Sequence, residues 1–283
     1  MKELQVRFVI ENNSDQFAVK PNYFVKYLLH NEMPGSLAVT LREMGLTDNL
    51  YTSSNASEYG NAGRFSIHAS LTEKGLKHRD EVAGLIFKYI EQVKAKGVDE
   101  KYFHEIKQSL SNNFRFKEKV NDYSYAMNIA ATMQNSPVNY VLSRNFEYQR
   151  FNADAINKVL NQLTLENARV LYIDKDQETD TNMHFFKGKY KVEPITSDLF
   201  AKWQKAAEGV ALKLPSPNTL MPESFDLVAK AHTEKPVSLI NEKGLSLHLG
   251  HSKNFEQPKG NFFVNFNSGH DKASPRNAVI AAL

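Results

Sequence analysis

Histidine and carboxylate spacing decides whether this chain can hold a metal ion for hydrolysis. A helical hydrolytic zinc site needs two His side chains four residues apart on one face, with a Glu beside them to deprotonate the bound water. The histidines are His30, His68, His78, His104, His184, His232, His248, His251 and His270. No two are four apart, so neither H-x-x-E-H nor H-E-x-x-H is present. His248 and His251 are the closest pair, and an odd separation on a strand sends them to opposite faces. They read as surface histidines, and no metal ligand is assigned in this chain. Asp174, Asp176, Glu178 and Asp180 alternate like the start of a calcium loop. Thr179 stands where the sharp turn demands Gly, and Phe185 where a bidentate Glu should close the shell, so the stretch reads as a solvated hairpin tip.

Nucleophiles and phosphate cradles are equally absent. There is no Cys among the 283 residues, which removes thiolates and disulfides together and fits either a cytoplasmic or a periplasmic setting. Ser36 follows Gly35 but no G-x-S-x-G forms, and no G-x-G-x-x-G or G-x-x-x-x-G-K occurs. No catalytic residue is therefore assigned. Phe114-Arg115-Phe116-Lys117-Glu118-Lys119 mixes rings and charges and could stack bases, but it continues an amphipathic helix whose rings are expected in the core. Thirty-five Lys and Arg against 32 Asp and Glu leave a net charge of +3, too small a field to recruit a polyanion, so nucleic acid is not an expected partner. No apolar run approaches the roughly 20 residues that cross a bilayer, so no membrane contact is expected. The opening residues, Met1 to Ile10, lack a signal-peptide pattern, and no compartment can be read from them.

The elements that would position any site follow from periodicity. Leu4, Val6, Phe8 and Ile10 alternate as a half-buried strand. Pro21 to His30 and Ser36 to Met44 read as short helices, the second stopped by Gly45. Asn49 to Ser57 suits an edge strand, paired with the alternating Phe65, Ile67, Ala69 and Leu71. Thr72 then caps a helix whose stripe is Val82, Leu85, Ile86, Tyr89, Ile90 and Val93, ending at Gly97. Asp99 caps another through Phe103, Ile106, Leu110 and Phe114. Tyr123 to Met133 and Pro137 to Leu142 add two more, and these helices should cover one face of a sheet. Asn152 opens a helix with Ile156, Val159, Leu160 and Leu163, and Val170 to Ile173 returns as a strand. Strands, then helices, then a strand predict an α+β fold with a mainly antiparallel sheet covered by helices.

The length predicts about two domains at roughly 150 residues each. Seven of the ten prolines lie at or after Pro194, and Pro215, Pro217 and Pro222 keep 214–223 out of helix or central strand. We expect a domain over 1–205, a proline-containing linker over 206–224, and the beginning of an incomplete α+β domain over 225–283. That last part holds alternating strands at Leu245, Leu247 and Leu249 and at Phe262, Val264 and Phe266, then a helix opened by Ser274-Pro275. It is too small to bury its own apolar face, so a fragment of a longer protein is expected, with completion by dimerisation as the alternative.

Several segments together resemble the insulysin and pitrilysin group of inverzincin metallopeptidases. They are His30-Asn31-Glu32-Met33-Pro34-Gly35-Ser36-Leu37, Leu71-Thr72-Glu73-Lys74-Gly75-Leu76, Phe114 to Lys119, Leu163 to Val170, Lys202-Trp203-Gln204, and Leu214 to Asn218 with Pro222 and Phe225. Their order and approximate spacing match the family across nearly the whole chain. The resemblance implies a processing-peptidase-like second domain, non-catalytic, followed by the start of a third. It also implies that zinc is bound in the parent protein by a first domain missing here, so that this fragment alone is inactive. Expected partners are extended peptide substrates and the missing domains of its own chain. Periplasmic or secreted location is implied by resemblance alone.

Family members hold a substrate's amino-terminal end by adding it as a strand to an exposed sheet edge of the second domain, where main-chain hydrogen bonds give affinity without demanding a sequence. The family's Gly-His-Glu-Gly-Pro-Gly-Ser stretch maps onto His30 to Ser36 and its edge strand onto Leu50, Tyr51 and Thr52. Glu32 matches the family Glu and could meet a peptide's ammonium, or it could merely cap the helix-to-helix turn. His30, Asn31 and Met33 depart from the family pattern and add side chains where a peptide backbone would approach. The resemblance thus implies a substrate-binding set of Glu32, Leu50, Tyr51 and Thr52 in a zinc metalloendopeptidase. The alternative is a catalytically silent architectural subunit related to processing-peptidase core proteins.

Overall fold

A computed structural model describes residues 2–58, 60–227, 235–251, 257–266 and 274–282. The first alternating residues form strand β1 (Glu3–Glu11), which buries Leu4, Val6, Phe8 and Ile10 on one face. It pairs antiparallel with β3 (Ala62–Leu71) and β4 (Ala168–Ile173), and β3 pairs antiparallel with β2 (Thr47–Glu58). The sheet order is β2-β3-β1-β4, so β2 is an edge. Val6 faces Ile67 and Phe8 faces Phe65, so the apolar halves of both strands share one face. The α+β expectation stands.

Helices cover that face. They are α1 (Pro21–Leu29), α2 (Leu37–Glu43) and the long α4 (Arg79–Lys96), in which Val82, Leu85, Ile86, Tyr89, Ile90 and Val93 are all fully buried. At about 1.5–3 kcal/mol for each large apolar side chain removed from water, this stripe is a major part of the core. It does not extend back to Thr72 as the sequence suggests. Thr72 caps a separate five-residue helix, α3 (Glu73–Lys77), and His78 breaks the chain before α4. The reason is geometric: Thr72 is tied to the preceding turn through Gly45 O and Leu46 O, while the α4 stripe must lie on the sheet. One helix axis cannot do both.

Helix α5 (Glu100–Arg115) is capped by Asp99, whose carboxylate accepts from the Lys101 amide, and buries Phe103, Ile106 and Leu110. The core ends there. Phe114 and Arg115 end the helix, which reaches Phe114 as expected, but Phe114 is exposed against Phe146, and residues 116–119 lie beyond the helix and outside the buried core. Helix α6 (Asp122–Met133) buries no residue and does not cover the sheet, and Pro137 to Leu142 shrinks to a 3-10 turn at Val138–Tyr140. Helix α7 (Ala153–Leu160) starts at its Asn152 cap as read. Strands β5 (Thr181–Asn182) and β6 (Lys189–Tyr190) make a small hairpin, and Asp174 to Asp180 lead into it rather than forming its tip.

Helix α8 (Ser197–Ala206) packs on α4 through Trp203, which stacks on Phe87 and donates its indole N–H to Asp80 at 3.1 Å. A Cβ at Gly84 would lie 2.0 Å from the Trp203 carbonyl oxygen, so only glycine permits this approach. Beyond α8, Leu212 is buried and Tyr102 Oη donates to Pro215 O at 2.8 Å, which lays that stretch along the first unit. By contact density the chain forms two units, Met1–Met221 and Pro222–Leu283. The second holds an antiparallel hairpin, β7 (Val237–Glu242) and β8 (Leu245–Leu249), turning at Gly244 with φ +91°, and helix α9 (Pro275–Ala282). Phe262, Val264 and Phe266 are exposed and form no strand, since no described strand lies beside them to complete a ladder.

Candidate functional site

Edge strand β2 carries the backbone groups that could receive another chain. In an antiparallel pair, alternate residues turn both N–H and C=O toward the partner, and the others turn them away. One bond fixes the phase here. The Leu50 carbonyl points away from β3 and lies 3.0 Å from His30 Nδ1. Leu50, Thr52 and Ser54 therefore face outward, and Tyr51 and Ser53 face β3. Beyond Asn55 the register shifts, and the Ala56 carbonyl, over Gly63 of β3, accepts from the Asn13 amide at 3.1 Å. His30 closes one end of the regular edge and this irregularity ends the other. Between them stand the amides and carbonyls of Thr52 and Ser54, a span of about 7 Å. Beneath this stretch the Thr52 hydroxyl is buried and has no hydrogen-bond partner among the described residues.

The open face of the sheet, opposite the helices, carries a polar network next to that edge. His68 on β3 has both ring nitrogens engaged: Nδ1 lies 3.0 Å from Glu3 Oε1, and Nε2 lies 3.3 Å from Ser53 Oγ. Glu3 is only 6% exposed, and a carboxylate so far removed from water needs such a partner. Tyr51 is the register partner of His68 and stacks on it, ring centres 4.4 Å apart and planes 3° from parallel. Gln5 faces His68 from β1, and Arg7 reaches back to the Gln5 amide oxygen.

The residues singled out from sequence fall on this edge by different routes. Leu50 is buried in the core by its side chain and contributes only backbone outward; Thr52 is likewise buried, and Tyr51 lies on the open face. Glu32 sits in the turn between α1 and α2, which the His30 bond to Leu50 brings beside β2. Its carboxylate pairs with Arg42 at 2.7 Å. The turn itself is held by Asn31, whose side chain accepts from the Met33 amide and whose carbonyl accepts from Ser36 Oγ, and by Gly35 at φ +83°. Sequence reasoning missed His30 as a contact to the strand, the Asn13 bond to Ala56 where the register shifts, and the Glu3–His68–Ser53 network. Only the register reveals these, although the alternation in β1 and β3 already put Glu3 and His68 on one face.

Metal chemistry has no donors here: among the described residues no group of three or more His, Asp or Glu lies close enough to hold an ion. Among the described residues the donor set does not fit zinc. A cleft of about 1000 Å³ between α4, α8 and the 163–166 segment has Phe87 and Phe200 among its lining residues. Two of its cations are engaged, Lys88 by the Ala207 and Val210 carbonyls and Lys94 by Glu91. No helix among the described residues is long and apolar enough to cross a membrane.

Comparison with known proteins gives a consistent answer along the chain. Residues 2–110 match the family model described as the peptidase M16 inactive domain, and residues 114–283 match the middle or third domain of peptidase M16. Protease 3 of Salmonella typhimurium is 34% identical over 284 residues, covering 100% of this chain and 30% of that protein. Insulin-degrading enzyme of Mus musculus is 31% identical over 267 residues, covering 93% of this chain and 26% of that protein. The crystal structure of pitrilysin superposes with a TM-score of 0.79 at 34% identity, over 90% of this chain and 27% of that one. The chain thus spans about a third or less of the relatives it matches.

Proposed function

This chain belongs to the peptidase M16 family, and from that premise we propose that it is a non-catalytic, peptide-holding portion of a larger zinc metalloendopeptidase. Its own residues supply chamber wall and an edge for an extended peptide. The parent's zinc is held by a part of the protein other than these residues, and that part does the cleavage. The observation that carries the reading is the outward backbone of Thr52 and Ser54, which no described strand pairs. A peptide strand laid there gains main-chain hydrogen bonds, each worth about 0.5–1.5 kcal/mol net, without sequence demand. Glu32, beside the edge, meets the peptide's ammonium by exchanging its Arg42 partner, a half-exposed pair worth about 1 kcal/mol or less.

Other parts of the same protein cover the exposed rings of the first unit. Helix α6 presents Tyr123 and Met127 to solvent and buries nothing, as befits a contact surface. The same reading places the parent protein in the periplasm or outside the cell, on its likeness to bacterial relatives, and fractionation of the native host tests that point. A second reading, a silent architectural subunit, is favoured by one observation: His30 already occupies the Leu50 carbonyl that an incoming strand would seek. Amide hydrogen exchange decides between them. Titration with an extended peptide slows exchange at Thr52 and Ser54 if the edge binds; unchanged exchange at saturating peptide leaves the architectural reading.

A further inference from the structure

The stacked pair on the open face says what kind of side chain an added strand carries beside Tyr51. His68 is fixed in its plane by Glu3 on one nitrogen and Ser53 on the other, and Tyr51 lies flat on it at 4.4 Å and 3°. That separation is close to the roughly 4.7–4.9 Å between neighbouring strands. One ring therefore stands on each strand at strand pitch, His68 on β3 and Tyr51 on β2, and β2 is the edge. The outer side of the Tyr51 ring has no strand beside it, and the residue is 40% exposed. A strand added at Thr52 and Ser54 brings its next open-face side chain to that outer side at the same pitch.

We infer that the peptide class held at this edge carries an aromatic side chain at the position beside Tyr51, extending the two-ring stack to three. The inference rests on the edge-binding reading above. A planar ring matches the exposed ring face, and offset stacking adds to simple burial. A branched aliphatic of similar size covers the same area without that match.

A series of octapeptides tests it: a threonine and lysine host with a free amino terminus, in which one Phe or one Leu guest is walked through each position. Affinity for the intact 283-residue chain is read by fluorescence anisotropy of a carboxy-terminal dye, with Thr52 and Ser54 amide exchange in parallel. The expected result is one position where Phe binds roughly three- to tenfold tighter than Leu. That preference, read as the ratio of Phe to Leu affinity within each variant, is kept by Tyr51→Phe and lost in Tyr51→Leu. If hosts bind and protect the two amides but Phe and Leu are equal at every position, the stacking inference is overturned and the edge reading survives. If no peptide binds or protects those amides, the edge reading falls and takes the inference with it.

Discussion

Replacing Ser54 with proline separates the free edge from the fold. The backbone phase fixed by Leu50 turns the Ser54 amide outward, so Ser54→Pro removes no hydrogen bond to β3. Proline is tolerated on an edge strand when its missing N–H faces away from the sheet. At a folding unit of about 220 residues, a cost near 1 kcal/mol lowers the unfolding midpoint by about 2–4 °C, and no more is expected. Binding suffers more. Four outward groups, two on Thr52 and two on Ser54, are available to a peptide; proline deletes one donor, and its ring obstructs the opposing carbonyl. Loss of one bond and desolvation of its partner amounts to about 1–3 kcal/mol, or roughly 5- to 150-fold weaker binding. Ser53→Pro is the internal control, because the Ser53 amide faces Ser66 in the ladder and its loss destabilises the sheet itself. Peptide titration and thermal unfolding of both variants give the answer. Equal affinity for Ser54→Pro and the parent refutes edge binding, and equal destabilisation by the two substitutions refutes the assigned phase of β2.

Three other outcomes follow from the same geometry. His30→Ala frees the Leu50 carbonyl from the Nδ1 contact and is expected to tighten peptide binding by roughly two- to tenfold, the worth of one added bond; weaker binding instead makes His30 a peptide contact. Gly84→Ala drives a methyl group into the Trp203 carbonyl, and chemical denaturation should show a loss of about 1–3 kcal/mol as α8 is pushed off α4. Lys20 is held below its usual range, at about 8, first by burial and then by the Arg144 charge. The folded state binds fewer protons than the unfolded chain between about 8 and 10.5, so stability contributed by this residue rises with pH through that window. Tyr27, Tyr89, Tyr148 and Tyr172 are raised by burial and oppose it above pH 10, so the comparison belongs between pH 7.5 and 9.5. There Lys20→Met should flatten the rise in unfolding midpoint; an unchanged slope refutes the assignment.

How far sequence reaches depends on whether a residue's role is set locally. The strands of the four-stranded sheet and the α4 stripe are legible because period 2 and period 3.6 are written directly into Leu4 to Ile10 and Val82 to Val93. Caps at Thr72, Asp99 and Asn152 are legible for the same reason, a short side chain beside the first free amides. The break at His78 is not, because it follows from a tether to Gly45 and Leu46 nearly thirty residues back. Nor are the limits of the core: Phe114 continues the Phe103, Ile106 and Leu110 spacing, yet it lies exposed against Phe146. Helix α6 carries enough rings and methionines to look like core cover, and nothing local shows that the first unit leaves it bare. Glu32, Leu50, Tyr51 and Thr52 were reached by resemblance, whereas the His68 network needs the register of three strands.

The His30 contact acquires a physical meaning once the edge is seen. A twelve-residue edge strand is a template for unwanted pairing, and proteins blunt such edges by covering them. Here the His30 contact at Leu50 removes one outward carbonyl from the template, and the register shift after Asn55 ends the regular edge. What is left admits a chain only across Thr52 and Ser54, too short to sustain pairing between two copies but long enough to orient a peptide whose remaining affinity comes from elsewhere. The imidazole is a replaceable partner, since a peptide amide can take the Leu50 carbonyl and release His30 to solvent at a net change of about one hydrogen bond. The difference between an inert wall and a peptide holder at this edge therefore reduces to whether that single exchange is favourable, which is the quantity His30→Ala measures.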